Sequence, residues 1–192
     1  MGLYAQQKTD PATLFEQLQV RETTDNAREA LFTSGTLDPQ TRAYLRDNLP
    51  VMIEKGAKGA SHQWRNAALL AGQLKILEAA PALAKWIGLD YFGDKITLAR
   101  VERLETNPAA KALSLIDDPG VPTSKNVLEH GSAHERFYAY LALWDIDTVI
   151  SRGAIHSRLD KENDPHLRDF IQPPYVGPPI TKVYTQFLAS IQ

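Results

Sequence analysis

SHQWRNAALLAGQLKILEAAPALAKWI, residues 61–87, carries the pattern from which the fold is read. Ser61 suits a helix N-cap, because its hydroxyl can accept an amide that the first turn leaves without an intrahelical partner. Behind it Trp64, Ala67, Ala68, Ala71 and Gly72 recur at three- and four-residue spacing, which lays a small-sided stripe on one helical face. Such a stripe lets a neighbouring helix approach closely. Pro81 then stands near the start of a shorter apolar run, Leu83, Trp86 and Ile87, which Gly88 stops. The stretch reads as two consecutive helices. No segment of useful length alternates apolar and polar residues as a half-buried strand would, and no Asn-Gly or Asp-Gly turn is present. The expected class is all-α.

The opening device recurs along the chain. A capping residue followed four positions later by a basic one stands at Asp38–Arg42, Ser61–Arg65, Asn107–Lys111, Ser132–Arg136 and Asp164–Arg168. Three of these have Pro directly after the cap, where its missing N–H costs nothing. Further helices are predicted from Asp10-Pro11 to Val20, from Asp25 to Ser34 with Gly35 as terminator, from Asp38-Pro39 with a bend at Pro50, and over 95–104. Asp118-Pro119-Gly120 reads as a tight turn before a helix ending near His130, and Asp147 as the cap of a helix to Leu159. Residues 172–179, QPPYVGPP, cannot be helical. Val183, Phe187, Leu188 and Ile191 have helical spacing.

The 192 residues suit one domain, 1–192, able to bury a real core. Lys and Arg total 21 against 23 Asp and Glu, a net charge of −2 without the basic surplus that nucleic-acid binding needs. There is no cysteine, which removes disulfides, thiolate metal sites and thiol catalysis. No apolar run is long enough to span a bilayer. Leu3-Tyr4-Ala5 before Gln6-Gln7 resembles the end of a signal peptide at its cleavage point, which implies a periplasmic or secreted location. A short polar leader in the cytoplasm is the alternative.

Two windows match at an offset of 71 residues: Arg65 with Arg136, Ala68 with Ala139, and Ala71 with Ala142. Together with residues 107–128, NPAAKALSLIDDPGVPTSKNVL, the pattern of cap, basic residue, apolar helix, Asp/Pro turn and second apolar helix resembles HEAT-like repeats. The short phycobilisome-lyase-type variety is the nearer likeness. The resemblance implies an α-solenoid of short HEAT-like helical hairpins over 38–171. Residues 1–37 would supply N-terminal capping helices, and 172–192 a Pro-rich strap and C-terminal helix. Starts at 38, 61, 107, 132 and 164 lie 23, 46, 25 and 32 residues apart, whereas HEAT units run about 40–47, so some marks are expected to open second helices.

Candidate chemistry is sparse. Ser132-Ala133-His134-Glu135 fits a capping box. It is also a His-Glu pair, of which HEAT-type deoxyhypusine hydroxylases use several to hold iron; His62-Gln63 lies comparably but without the carboxylate. His130 and His134 have metal-ligand spacing, yet Gly131-Ser132 should break the helix between them. His156 and His166 lack ligand-spaced partners. Trp144-Asp145-Ile146-Asp147, with Arg152 and Arg158, resembles the Trp and Asp of HEAT-like DNA glycosylases, with Trp64 and Trp86 as further aromatics. Gly56-Ala57-Lys58-Gly59 is no phosphate loop.

The expected function is therefore a non-catalytic protein-protein interaction scaffold, with no cofactor, no metal, no nucleic acid and no membrane. Another protein is the expected partner. Second helices should line its inner face, which makes Trp86, Lys125, Arg152 and His156 the candidate contacts. A nucleic-acid-acting enzyme of the glycosylase kind and a periplasmic stability factor are the alternatives.

Overall fold

In a computed structural model of the chain, residues 10–56, 61–89, 104, 107–165 and 167–168 are described. Among them stand nine α-helices and no strand. They are α1 (Pro11–Leu18), α2 (Thr24–Leu37), α3 (Pro39–Gly56), α4 (His62–Gln73), α5 (Ala80–Lys85), α6 (Pro108–Ile116), α7 (Val121–His130), α8 (Ala133–Ile146) and α9 (Val149–Leu159). Short 3-10 turns, Leu77–Ala79 and Asp118–Gly120, lead into α5 and α7. The predicted leader, the helix over 95–104 apart from Leu104, His166 and the Pro-rich and terminal segments lie outside the described residues.

Six of the predicted caps form. Asp10, Ser61, Asn107 and Ser132 each accept the backbone amide three residues on, at 3.2, 3.2, 2.9 and 3.3 Å. Asp164 accepts from the Leu167 amide at 3.0 Å. Asp38 takes the Gln40 amide and the Thr41 hydroxyl. Three of the basic residues one turn later bind the ends of other helices. Arg42 donates to the Leu74 carbonyl beyond α4, Lys111 pairs with Asp145 in the last turn of α8, and Arg136 donates to the Gly131 carbonyl beyond α7. A cation beside unpaired C-terminal carbonyls also meets the negative end of the helix dipole.

Even-numbered helices touch one another in order, α2 on α4, α4 on α6 and α6 on α8; the odd ones do likewise, α3 on α5, α5 on α7 and α7 on α9. The α4–α6 contact is the most extensive, and the small residues explain it. Ala67, Ala68, Ala71, Ala109, Ala110 and Ala112 are fully buried. A Cβ on Gly72 would stand 2.7 Å from Ala112 Cα and 2.9 Å from its carbonyl oxygen, so the two backbones nearly touch. Trp64 is also buried and donates its indole N–H to the Ile53 carbonyl at 3.0 Å. It is a core residue, and its place among ligand-contacting aromatics is withdrawn.

Two expectations need correction. Gly35 does not end α2, which runs on to Leu37; it is buried against the Leu74 and Leu45 methyl groups. Thr148, not Asp147, caps α9, in a reciprocal box with Ser151; Asp147 instead ends α8 in the left-handed conformation, φ 53°. α3 runs through Pro50 to Gly56, with the Arg46 carbonyl lacking an intrahelical donor. The five marks are not equivalent, in line with their uneven spacing: those at 61, 107 and 132 open even helices, while Asp38 opens the odd α3.

Gly72→Ala should cost about 1–3 kcal/mol, because the backbone it would meet cannot yield without parting α4 from α6. Gly35→Ala should stay within about 1 kcal/mol of wild type, since its neighbours are movable methyl tips and alanine regains roughly that much helix propensity. Thermal melts of the two variants check the contrast, and equal losses would refute the close-approach argument.

Candidate interaction surface

α5 and α7, neighbouring odd helices, enclose an open groove of about 560 Å³ that ends on the first turn of α8. Both helices carry Pro at their second position after a 3-10 turn, and Pro81 and Pro122 both line the groove. Ala84 and Val127 give it further apolar wall, and Lys85, Thr123, Asn126, His130, Gly131 and Glu135 its polar edge. Lys85 and Glu135 there are both already engaged. Lys85 Nζ pairs with Glu54 at 3.0 Å and lies 5.7 Å from the Trp86 ring centre. Glu135 is held in the capping box, accepting the Ser132 amide at 2.7 Å. That bond also answers the His-Glu reading, since the carboxylate is engaged at the cap.

None of the four predicted contacts lines this groove. Trp86 closes α5 and is partly buried, its indole Nε1 lacking an acceptor among the described residues. Lys125 is exposed on α7, next to Asn126. Arg152 and His156 are exposed one turn apart on α9, with Arg152 bound to Asp147 at 2.8 Å. All four do lie on or at the end of odd helices. The signal that could have found the groove was the pair of Pro-led second helices, at 81 and 122.

Two polar clusters hold the flanks. His62 finds a carboxylate after all, from α2: its Nε2 lies 3.0 Å from both Asp25 oxygens. The buried Asn66 donates to Asp25 at 2.8 Å and to Thr24 at 3.2 Å. The His62 bond and then the Asn66 bond hold the Asp25 carboxyl below its ordinary range. At the other end, Glu162 is fully buried beneath Arg136, which binds it through Nε at 3.1 Å and Nη2 at 2.7 Å. The Tyr140 hydroxyl donates to it at 3.1 Å, and the Asp164 amide does too. Burial pushes the Glu162 carboxyl up, but the Arg136, Asp164 and Tyr140 hydrogen bonds outweigh it and leave the carboxyl below its usual range. Burial, then the Glu162 charge, pushes Tyr140 well up.

α7 ends at His130, Gly131 is extended, and α8 begins at Ala133, so His130 and His134 do not share a helix. Among the described residues no group of three metal-ligating side chains is gathered, and no helix is long and apolar enough to cross a membrane. Fold and surface together define an all-helical protein with a groove between two odd helices. Comparison with protein-family models, curated proteins and solved structures finds no match to this chain.

Glu162→Gln should destabilise by about 3 kcal/mol, because it strands a nearly buried guanidinium. At this chain length that is a fall of roughly 6–12 °C in Tm. A carboxyl lowered on folding stabilises above its unfolded value and stops doing so as pH falls through the folded one. The gap between wild type and variant should therefore be full at pH 7 and narrow below about pH 4.5. Melts across that range check it; a pH-independent gap would contradict the charged pair.

Proposed function

We propose that the chain is a non-catalytic protein-interaction scaffold, an α-solenoid of short HEAT-like helical hairpins that presents its odd-numbered helices to a partner protein. The observation that carries the proposal is the packing order, in which even helices touch even and odd touch odd along the chain. Units that contact mainly their neighbours build an extended surface, and such surfaces serve binding. The groove supports the same reading. It lies between two odd helices, and its size falls within the roughly 300–1,000 Å³ of ligand clefts. Its polar groups are an amide, a hydroxyl, an imidazole, the Glu54-paired Lys85 and the cap-bound Glu135, which suit recognition.

The test is affinity capture from the native cell extract with purified full-length protein. It compares wild type, a quadruple alanine variant at Trp86, Lys125, Arg152 and His156, and a Thr123→Arg/Asn126→Arg variant that fills the groove. Tm is measured on each to establish folding. Wild type should retain a specific protein, and the groove variant should lose at least nine-tenths of it. Retention of nothing above the bait-free control, or duplex-DNA binding that weakens steeply with salt, would overturn the scaffold reading.

A further inference from the structure

We infer that the α5–α7 groove takes an extended peptide segment of the partner that carries no acidic side chain, about four residues long and held by its main chain; this rests on the scaffold reading. Length comes first. The α7 residues that line the groove run from Pro122 to His130, and at 1.5 Å per helical residue that is about 12 Å. A strand rises about 3.3 Å per residue, so roughly four residues fill it.

Hydrogen bonding decides the conformation. Thr123 and Asn126, three residues apart on α7, both face the groove and have no partner among the described residues. The Asn126 carboxamide offers a donor and an acceptor side by side, the complement of the N–H and C=O of one extended residue, which point to the same side of the chain. A helix laid in the groove has its own backbone satisfied and would bury these groups unpaired, at a cost comparable to lost hydrogen bonds. An extended segment brings the N–H and C=O groups they lack.

Charge decides the composition. Lys85 is paired with Glu54, whereas Glu135 accepts the Ser132 amide and hydroxyl, neutral donors that leave its charge in place. An acidic side chain entering the groove would face that carboxylate with Lys85 already engaged. Ala84, Val127 and the two prolines instead offer apolar wall.

The experiment selects a display library of random heptapeptides on the full-length protein. Enriched peptides should share a four-residue run free of Asp and Glu. Asn126→Leu, at an exposed site, should weaken their binding tenfold or more, while Lys161→Ala, exposed and away from the groove, leaves it within twofold. N-methylating one amide of the run should cost a similar tenfold, a loss that side-chain recognition would not produce. No enrichment, enriched amphipathic helices or acidic motifs, or indifference to Asn126→Leu or to N-methylation would overturn the inference. So would a benzophenone side chain at position 123 that crosslinks to residues 172–179 of the same chain. Extract capture lost in the groove variant while no library peptide binds would sink this inference alone; peptides that bind while nothing is captured from extract would sink the scaffold reading.

Discussion

The closeness of α4 to α6 is the constraint on which the rest depends. With Gly72 against the Ala112 backbone, two helices of 12 and 9 residues are brought nearly into main-chain contact. Helices this short are marginal alone, so their stability comes from packed neighbours. The alanines give up side-chain area but gain proximity, and dispersion rises steeply as atoms close. The larger buried groups, Trp64 on one side and Phe137, Tyr138 and Tyr140 on the other, lie in helices that pack around this seam.

Around the seam, order is maintained by polar groups at helix ends. Arg42, Lys111 and Arg136 each join the beginning of one helix to the finish of another. Glu162 does the same from inside. It is the one fully buried charge among the described residues, and its oxygens gather a guanidinium, a phenol and an amide. Removing all partners together by an apolar swap would be mild, whereas removing one leaves a stranded charge.

Much of this could be read from the chain. Caps follow from local chemistry, so Asp10, Ser61, Asn107 and Ser132 were legible one by one. What failed needed distance information. Gly35 has the look of a terminator, but Leu74, far along the chain, makes it a contact point. Asp147 and Thr148 are both good caps, and only the left-handed backbone at Asp147 separates their roles. His62 and Asp25 are 37 residues apart, and their meeting depends on α2 lying on α4. The groove was hidden for the same reason. Trp86, Lys125, Arg152 and His156 follow from their place on second helices, while the groove's walls are small residues, prolines and an asparagine whose importance is positional.

The left-handed residues Lys75, Asp117 and Asp147 follow α4, α6 and α8 in turn. Glycine would suit such places most easily, yet each carries a charge, and Lys75 reaches Asp117 at 3.1 Å across the ends of the two closest helices. These pairs are about half exposed, so dissolved ions screen them, whereas the Gly72–Ala112 seam has no charge to screen. The molecule thus has two kinds of stiffness. Its spine is indifferent to ionic strength, and the rim of turns along one edge tightens in dilute buffer and slackens in brine.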